Sequence, residues 1–149
     1  MKGQYRVVSE VLLFAIGIGI ASFVIVQFNI IQEGAEINSF RDQMTGVLNS
    51  VMNSVHKAYS VNDPVSGKGN ANVDFEIPET LSGKPYLISL IKNDESKLIV
   101  VSELDNPDVN VHREIFNIED VNNVEGSVTS SSRFIRINYE SNTIEIQRR

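Results

Sequence analysis

Residues that could do chemistry are few in this sequence: His56 and His112, the run Ser130-Ser131-Ser132, the lysine of Gly67-Lys68-Gly69, and carboxylates at Glu103, Asp105, Asp108, Glu119, Asp120 and Glu125. Serine hydrolysis needs a nucleophile, a base and an orienting acid within reach of one another. No His-Asp pair accompanies the serine run in a recognisable order, so it reads as a polar turn. His56 has no second His or Cys at ligand spacing and reads as a surface or rim residue rather than a zinc ligand. The acidic set offers the hard oxygens that calcium takes, but its spacing matches no established loop, and solvated acidic turns are the commoner explanation. Gly67-Lys68-Gly69 lacks the spacing of a phosphate-binding loop and follows a helix, so it reads as a turn. The chain has no cysteine, which excludes a disulfide scaffold, a thiolate zinc site and a cysteine nucleophile. The expectation is a protein that is not an enzyme and carries no cofactor or metal.

The elements that hold these residues divide the chain into two kinds of material. Its 149 residues suffice for one modest domain plus an accessory helix. A net charge of -6, with scattered basic residues, argues against nucleic acid, because phosphate binding needs a basic face to release counterions. The stretch Val11–Val26 carries no charge. Adding Val7, Val8, Phe28, Ile30 and Ile31 gives roughly 20–25 predominantly apolar residues, enough to cross a bilayer as a helix. In lipid the backbone amides must be satisfied within the segment, which predicts helix despite the β-branched residues. Lys2 and Arg6 precede the span, and Glu33 and Glu36 are the first charges after it. That asymmetry predicts a cytoplasmic N-terminus and an extracellular remainder. Gln27-Phe28-Asn29 offers no small-residue cleavage site after the apolar core, so the helix is expected to stay rather than be removed as a secretory signal.

Within the span, Ala15 and Gly19 are four apart, as are Gly17 and Ala21, which reads as a helix face with little bulk that lets another helix approach closely. The plain alternative is that small residues are common in membrane helices. Glu10 is a carboxylate at the mouth of a lipid segment, costly unless paired or exposed. Arg6, one helical turn earlier, is the local partner; a neighbouring subunit is the other.

Lys2-Gly3-Gln4, followed by Ser9-Glu10-Val11-Leu12 and an apolar helix, resembles the N-terminus of archaeal type IV pilins and their relatives. Arg6-Val7-Val8-Ser9-Glu10-Val11 is similar to the Arg-Ala-Val-Ser-Glu-Val entry of many archaeal pilin-like chains. The first resemblance implies that a membrane leader peptidase cuts between Gly3 and Gln4; the second places the cut near Val7 or Val8. The family's helix packs into a filament core, so the resemblance implies self-association or assembly with other pilin-like subunits.

From Glu33 to Tyr59 the apolar residues Ile37, Phe40, Met44, Val47, Leu48, Val51, Val55 and Tyr59 recur at intervals of three and four, the signature of one apolar helix face. No proline interrupts before Asn62, so the apolar helix is expected to continue into this amphipathic one. Its stripe must be covered, either by the β domain of its own chain or by sister helices. Breakers at Asn62-Asp63-Pro64 and Ser66–Asn70 then predict a loop. Alternation marks strands at Val73–Ile77, Tyr86–Ile91, Lys97–Val101, Val109–Ile118, Phe134–Tyr139 and Thr143–Gln147, with Asn93–Ser96 a hairpin turn. Val124–Ser132 is open between a seventh strand and a loop.

These features predict an α+β chain: a basic leader at 1–6, a transmembrane helix at 7–32, an amphipathic helix at 33–60, a loop at 61–72, and at 73–149 a small antiparallel sheet or sandwich of about six strands. The expected function is a pilin-like subunit or accessory component of an archaeal surface filament. The alternative is a single-pass anchored ectodomain that binds an envelope component.

Overall fold

A helix without internal proline begins the chain, and in the computed structural model it runs unbroken as α1, Lys2–Val61. The structure describes residues 2–61, 70–93, 96–118 and 120–149, with side chains of α1 described from Val7 onward. Most of the expected loop, including Gly67-Lys68-Gly69, and two residues of the 93–96 turn lie outside the described residues. The chain divides into two compact units, Met1–Asn38 and Ser39–Arg149, with the boundary inside α1.

In the second unit the strands are β1 Ala71–Glu76, β2 Tyr86–Lys92, β3 Lys97–Glu103, β4 Asn110–Glu114, β5 Asn123–Glu125, β6 Ser127–Thr129, β7 Phe134–Glu140 and β8 Thr143–Arg148. They form two four-stranded sheets, ordered β1-β7-β8-β5 and β4-β3-β2-β6. The α+β class holds, with eight strands where about six were expected. The segment left open, Val124–Ser132, accounts for the difference. With Asn123 before it, the segment supplies two three-residue strands that alternation over so short a length does not distinguish from loop. The sheets are antiparallel except for one pair: β5 runs parallel to β8, Val124 opposite Ile144.

Gly126 is where the chain changes sheets. Glu125 pairs with Glu145 in the first sheet and Ser127 with Ser89 in the second. The Gly126 carbonyl accepts the Leu90 amide at 2.9 Å. Its φ of +102° is one that L side chains rarely adopt, and an added Cβ would run into the Ile146 carbonyl oxygen.

Both sheets share one apolar cluster with the helix. Ile88, Leu90, Ile99 and Val101 from the second sheet and Ile135, Ile137, Tyr139, Ile144 and Ile146 from the first are buried with Phe40, Met44, Val47, Leu48, Val51 and Val55 of α1. The amphipathic stripe is therefore covered by the β-strands of its own chain. Met52 and Ala58 join it, and Ile37, which precedes this unit, stays 41% exposed.

Polar contacts fasten the helix to the strand connections. Gln43 accepts the Ser82 amide through Oε1 and donates from Nε2 to the Ser82 hydroxyl, both at 2.9 Å. Ser82 sits at φ +47°, a conformation this two-point hold helps maintain. Arg113 of β4 donates to Asn49 Oδ1 at 2.6 Å. Outside the core, Asp74 takes a bidentate hydrogen bond from Arg136 and an ion pair from Arg149. The Arg136 hydrogen bond holds the Asp74 carboxyl below the usual carboxylate range. Exposed pairs of this kind contribute little to stability and more to the polarity of the face.

Tyr86 is fully buried, and its hydroxyl donates to the Pro78 carbonyl at 2.7 Å.

Gly126→Ala should cost about 1–3 kcal/mol from backbone strain alone, read as a lower thermal midpoint of the full chain in detergent. Desolvation raises the Tyr86 phenol above its ordinary range, so the folded chain keeps a proton that the unfolded chain releases. Stability should hold below about pH 10 and fall above it. Tyr86→Phe should flatten that alkaline loss, while costing about 0.5–1.5 kcal/mol at neutral pH for the missing hydrogen bond. Identical alkaline slopes in the two proteins would contradict the assignment.

Candidate functional site: the exposed apolar helix

The N-terminal unit carries the largest departure from ordinary surface chemistry. Between Val7 and Ile31 every side chain is exposed, with Phe14 at 72%, Leu13 at 65%, Phe23 at 64% and Ile31 at 66%. None of the most apolar stretch is buried within the structure, and the helix is long and apolar enough to cross a membrane. A soluble core helix has the same composition but is wrapped by its own fold; this one is not.

The sites expected from sequence fall on this helix. Gly3 and Gln4 lie in its first turn, with side chains outside the described residues, as is that of Arg6. Glu10 is exposed. Gly17 and Gly19 have open space where a Cβ would stand. Helical geometry divides the small residues differently from the single face read in the sequence. Ala15 and Gly19 lie nearly in line, as do Gly17 and Ala21, but two residues turn the helix by about 200°. The result is two short strips on nearly opposite sides, so another helix could approach closely from either.

Ser130, Ser131 and Glu103 of the second unit are engaged in structure. Ser130 is buried and its hydroxyl accepts the Tyr86 amide at 3.2 Å, while Ser131 shares a hydrogen bond with Thr129 at 2.8 Å. His56 is half-buried on α1 and His112 exposed on β4. Among the described residues no group of three His, Asp or Glu is placed to hold a metal ion. Glu119 lies outside the described residues.

Glu103 departs from the expected solvated turn. It is 8% exposed and pairs with Lys84 at 2.9 Å, and Lys84 in turn lies 5.7 Å from the centre of the Phe40 ring. Alternation alone hid this, because Glu103 ends a strand whose inward positions are otherwise aliphatic. A groove of about 280 Å³ runs between α1 and the segment after β1, lined by Gly46, Val47, Ser50, Ile77, Pro78 and Leu81. The Ser50 hydroxyl there is committed to the Gly46 carbonyl at 3.1 Å, and Glu76, the carboxylate of the lining, pairs with Arg133 at 2.6 Å.

No family model, no curated protein and no solved structure matches this chain.

A helix long and apolar enough to cross a membrane makes a definite prediction. Ile18→Arg, near the middle of the stretch, should weaken insertion by about 2.5–3.5 kcal/mol, read as transfer of the full chain from the membrane fraction to the alkaline carbonate supernatant. Arg at Asn38, beyond the apolar stretch, should leave partition unchanged.

Proposed function

We propose that this chain is a membrane-anchored, pilin-like structural subunit or accessory component of an archaeal cell-surface filament. Its N-terminal helix is the anchoring and assembling element, and its β-rich unit is displayed outside the cell. The observation that carries the reading is the uncovered apolar surface from Val7 to Ile31. Lys2 and Arg6 precede it and Glu33 and Glu36 follow it, the asymmetry expected of a cytoplasmic N-terminus. The leader-like Lys2-Gly3-Gln4 and Glu10 at the head of the helix supply the pilin-like part. The role needs no catalytic step and no cofactor; burying helix surface between subunits or in lipid performs the work.

A second reading has its own support. The stripe from Phe40 to Val55 is already covered by the strands of the same chain, so that part of the helix needs no sister helices. This favours a single-pass anchored ectodomain that binds an envelope component.

Intact-mass measurement on native protein separates the two. Loss of Met1–Gly3, together with filaments on cells that vanish when the chain is deleted, is the outcome expected of the filament subunit. A complete N-terminus in membranes, with an unchanged cell surface, would leave the anchored ectodomain.

A further inference from the structure

A polar hollow of about 340 Å³ opens where the end of β2 and the start of β3 meet the chain between β4 and β5. Lys92, Asn93, Ser96, Lys97, Glu114 and Asn122 line it, together with the buried Ile115 and Val121.

Two kinds of polar group stand in this lining. The lysines are braces: Lys92 Nζ donates to the Asn122 carbonyl at 2.7 Å, and Lys97 Nζ to the Ile118 carbonyl at 3.1 Å. Ile115, Ile118 and Val121 peg the same loop into the core. On the hairpin side, the Asn93 amide donates to the Ser96 carbonyl at 2.8 Å. The side chains of Asn93, Ser96, Glu114 and Asn122 differ: among the described residues they have no hydrogen bond or ion pair. A braced frame that holds uncommitted donors and acceptors is pre-organised for a ligand that supplies their partners.

The lining narrows the class of that ligand. A bound cation such as calcium takes several oxygen ligands, and Glu114 is the one carboxylate among the described lining residues. An anion is best held by convergent backbone amides or free cations, whereas both ammonium groups here already donate to carbonyls. An apolar molecule would want an apolar lining. Side-chain amides, a hydroxyl and a carboxylate together match a neutral molecule with several hydroxyl groups, each of them donor and acceptor at once. Phe116, next to Ile115 in the rim and 59% exposed, adds an aromatic face for the C–H side of a sugar ring.

We infer that this hollow binds a neutral saccharide of one or two rings, its volume lying near the small end for ligand pockets. Position suits this ligand. Tyr59, close to the end of α1, donates to Asp120 of the same loop at 3.4 Å, and the helix from Ser39 to Tyr59 measures about 30 Å. The hollow therefore lies at the end of the unit remote from the entry of α1. That this end meets extracellular carbohydrate rests on the displayed reading above; the binding itself does not.

The test uses the full chain in dodecylphosphocholine, a detergent without a sugar headgroup, read by amide chemical shifts. Glucose, galactose, mannose, N-acetylglucosamine and N-acetylgalactosamine are the probes, with inorganic phosphate as the anion control. At least one sugar should shift the Asn93, Ser96 and Asn122 amides saturably at millimolar concentration. Glu114→Ala and Asn122→Ala should each weaken it about fivefold, as expected for one lost hydrogen bond, and Asn138→Ala on the other sheet should leave it unchanged. Shifts from phosphate alone, no response of these amides to any sugar, or equal affinity in both site variants overturns the saccharide site. The chain has no cysteine, so Asn72→Cys on intact cells, probed with a membrane-impermeant maleimide, tests display separately. Sugar binding without labelling from outside overturns the displayed reading and leaves the site standing; labelling without sugar binding overturns the site alone.

Discussion

Sixteen large apolar side chains between Val7 and Ile31 have no cover from their own chain, and that constraint governs how the molecule can exist. Moving each out of water is worth roughly 1.5–3 kcal/mol. Together they exceed the 5–15 kcal/mol that holds a typical domain folded. Left in water, a helix with this surface exposes more apolar area than a domain's stability offsets, and it is long and apolar enough to cross a membrane.

One helix serves two different environments through a change in side-chain pattern alone. Up to Ile31 the apolar residues occupy every side, which suits a surrounding hydrocarbon. From Phe40 they narrow to a stripe, which suits a sheet on one side and water on the other. The backbone does not change across this transition, since α1 is continuous from Lys2 to Val61. Satisfied main-chain hydrogen bonds are what both media require, and helix meets that need in each.

The second unit is organised by the need to wrap that stripe. Two four-stranded sheets present their inner faces to one core, and the chain passes between them at Gly126, where only a residue without Cβ fits beside Ile146. Polar residues with the potential for chemistry are used as fasteners: Gln43 on Ser82, Arg113 on Asn49, Lys84 on Glu103, and Ser130 on Tyr86.

Composition and periodicity alone determined the apolar span, the helix that continues it, the stripe at Phe40 to Val55 and the main strands, because each is written as a local repeat of side-chain character. Most strand limits shift by a residue or two, as for β1, which begins at Ala71, whereas β4 ends at Glu114, four residues before the expected Ile118. The tertiary structure decided what local repeats cannot encode. It showed that the stripe is covered by its own strands, that Val124–Thr129 becomes two strands in two sheets, and that Glu103 is turned onto Lys84. It also showed that β2 and β3, though apolar on both faces, bury one face in the core and, among the described residues, leave Leu87, Leu98 and Val100 of the other half-buried. Each of these depends on which residues distant in sequence come together, and pairing between distant segments leaves no periodic trace in either one.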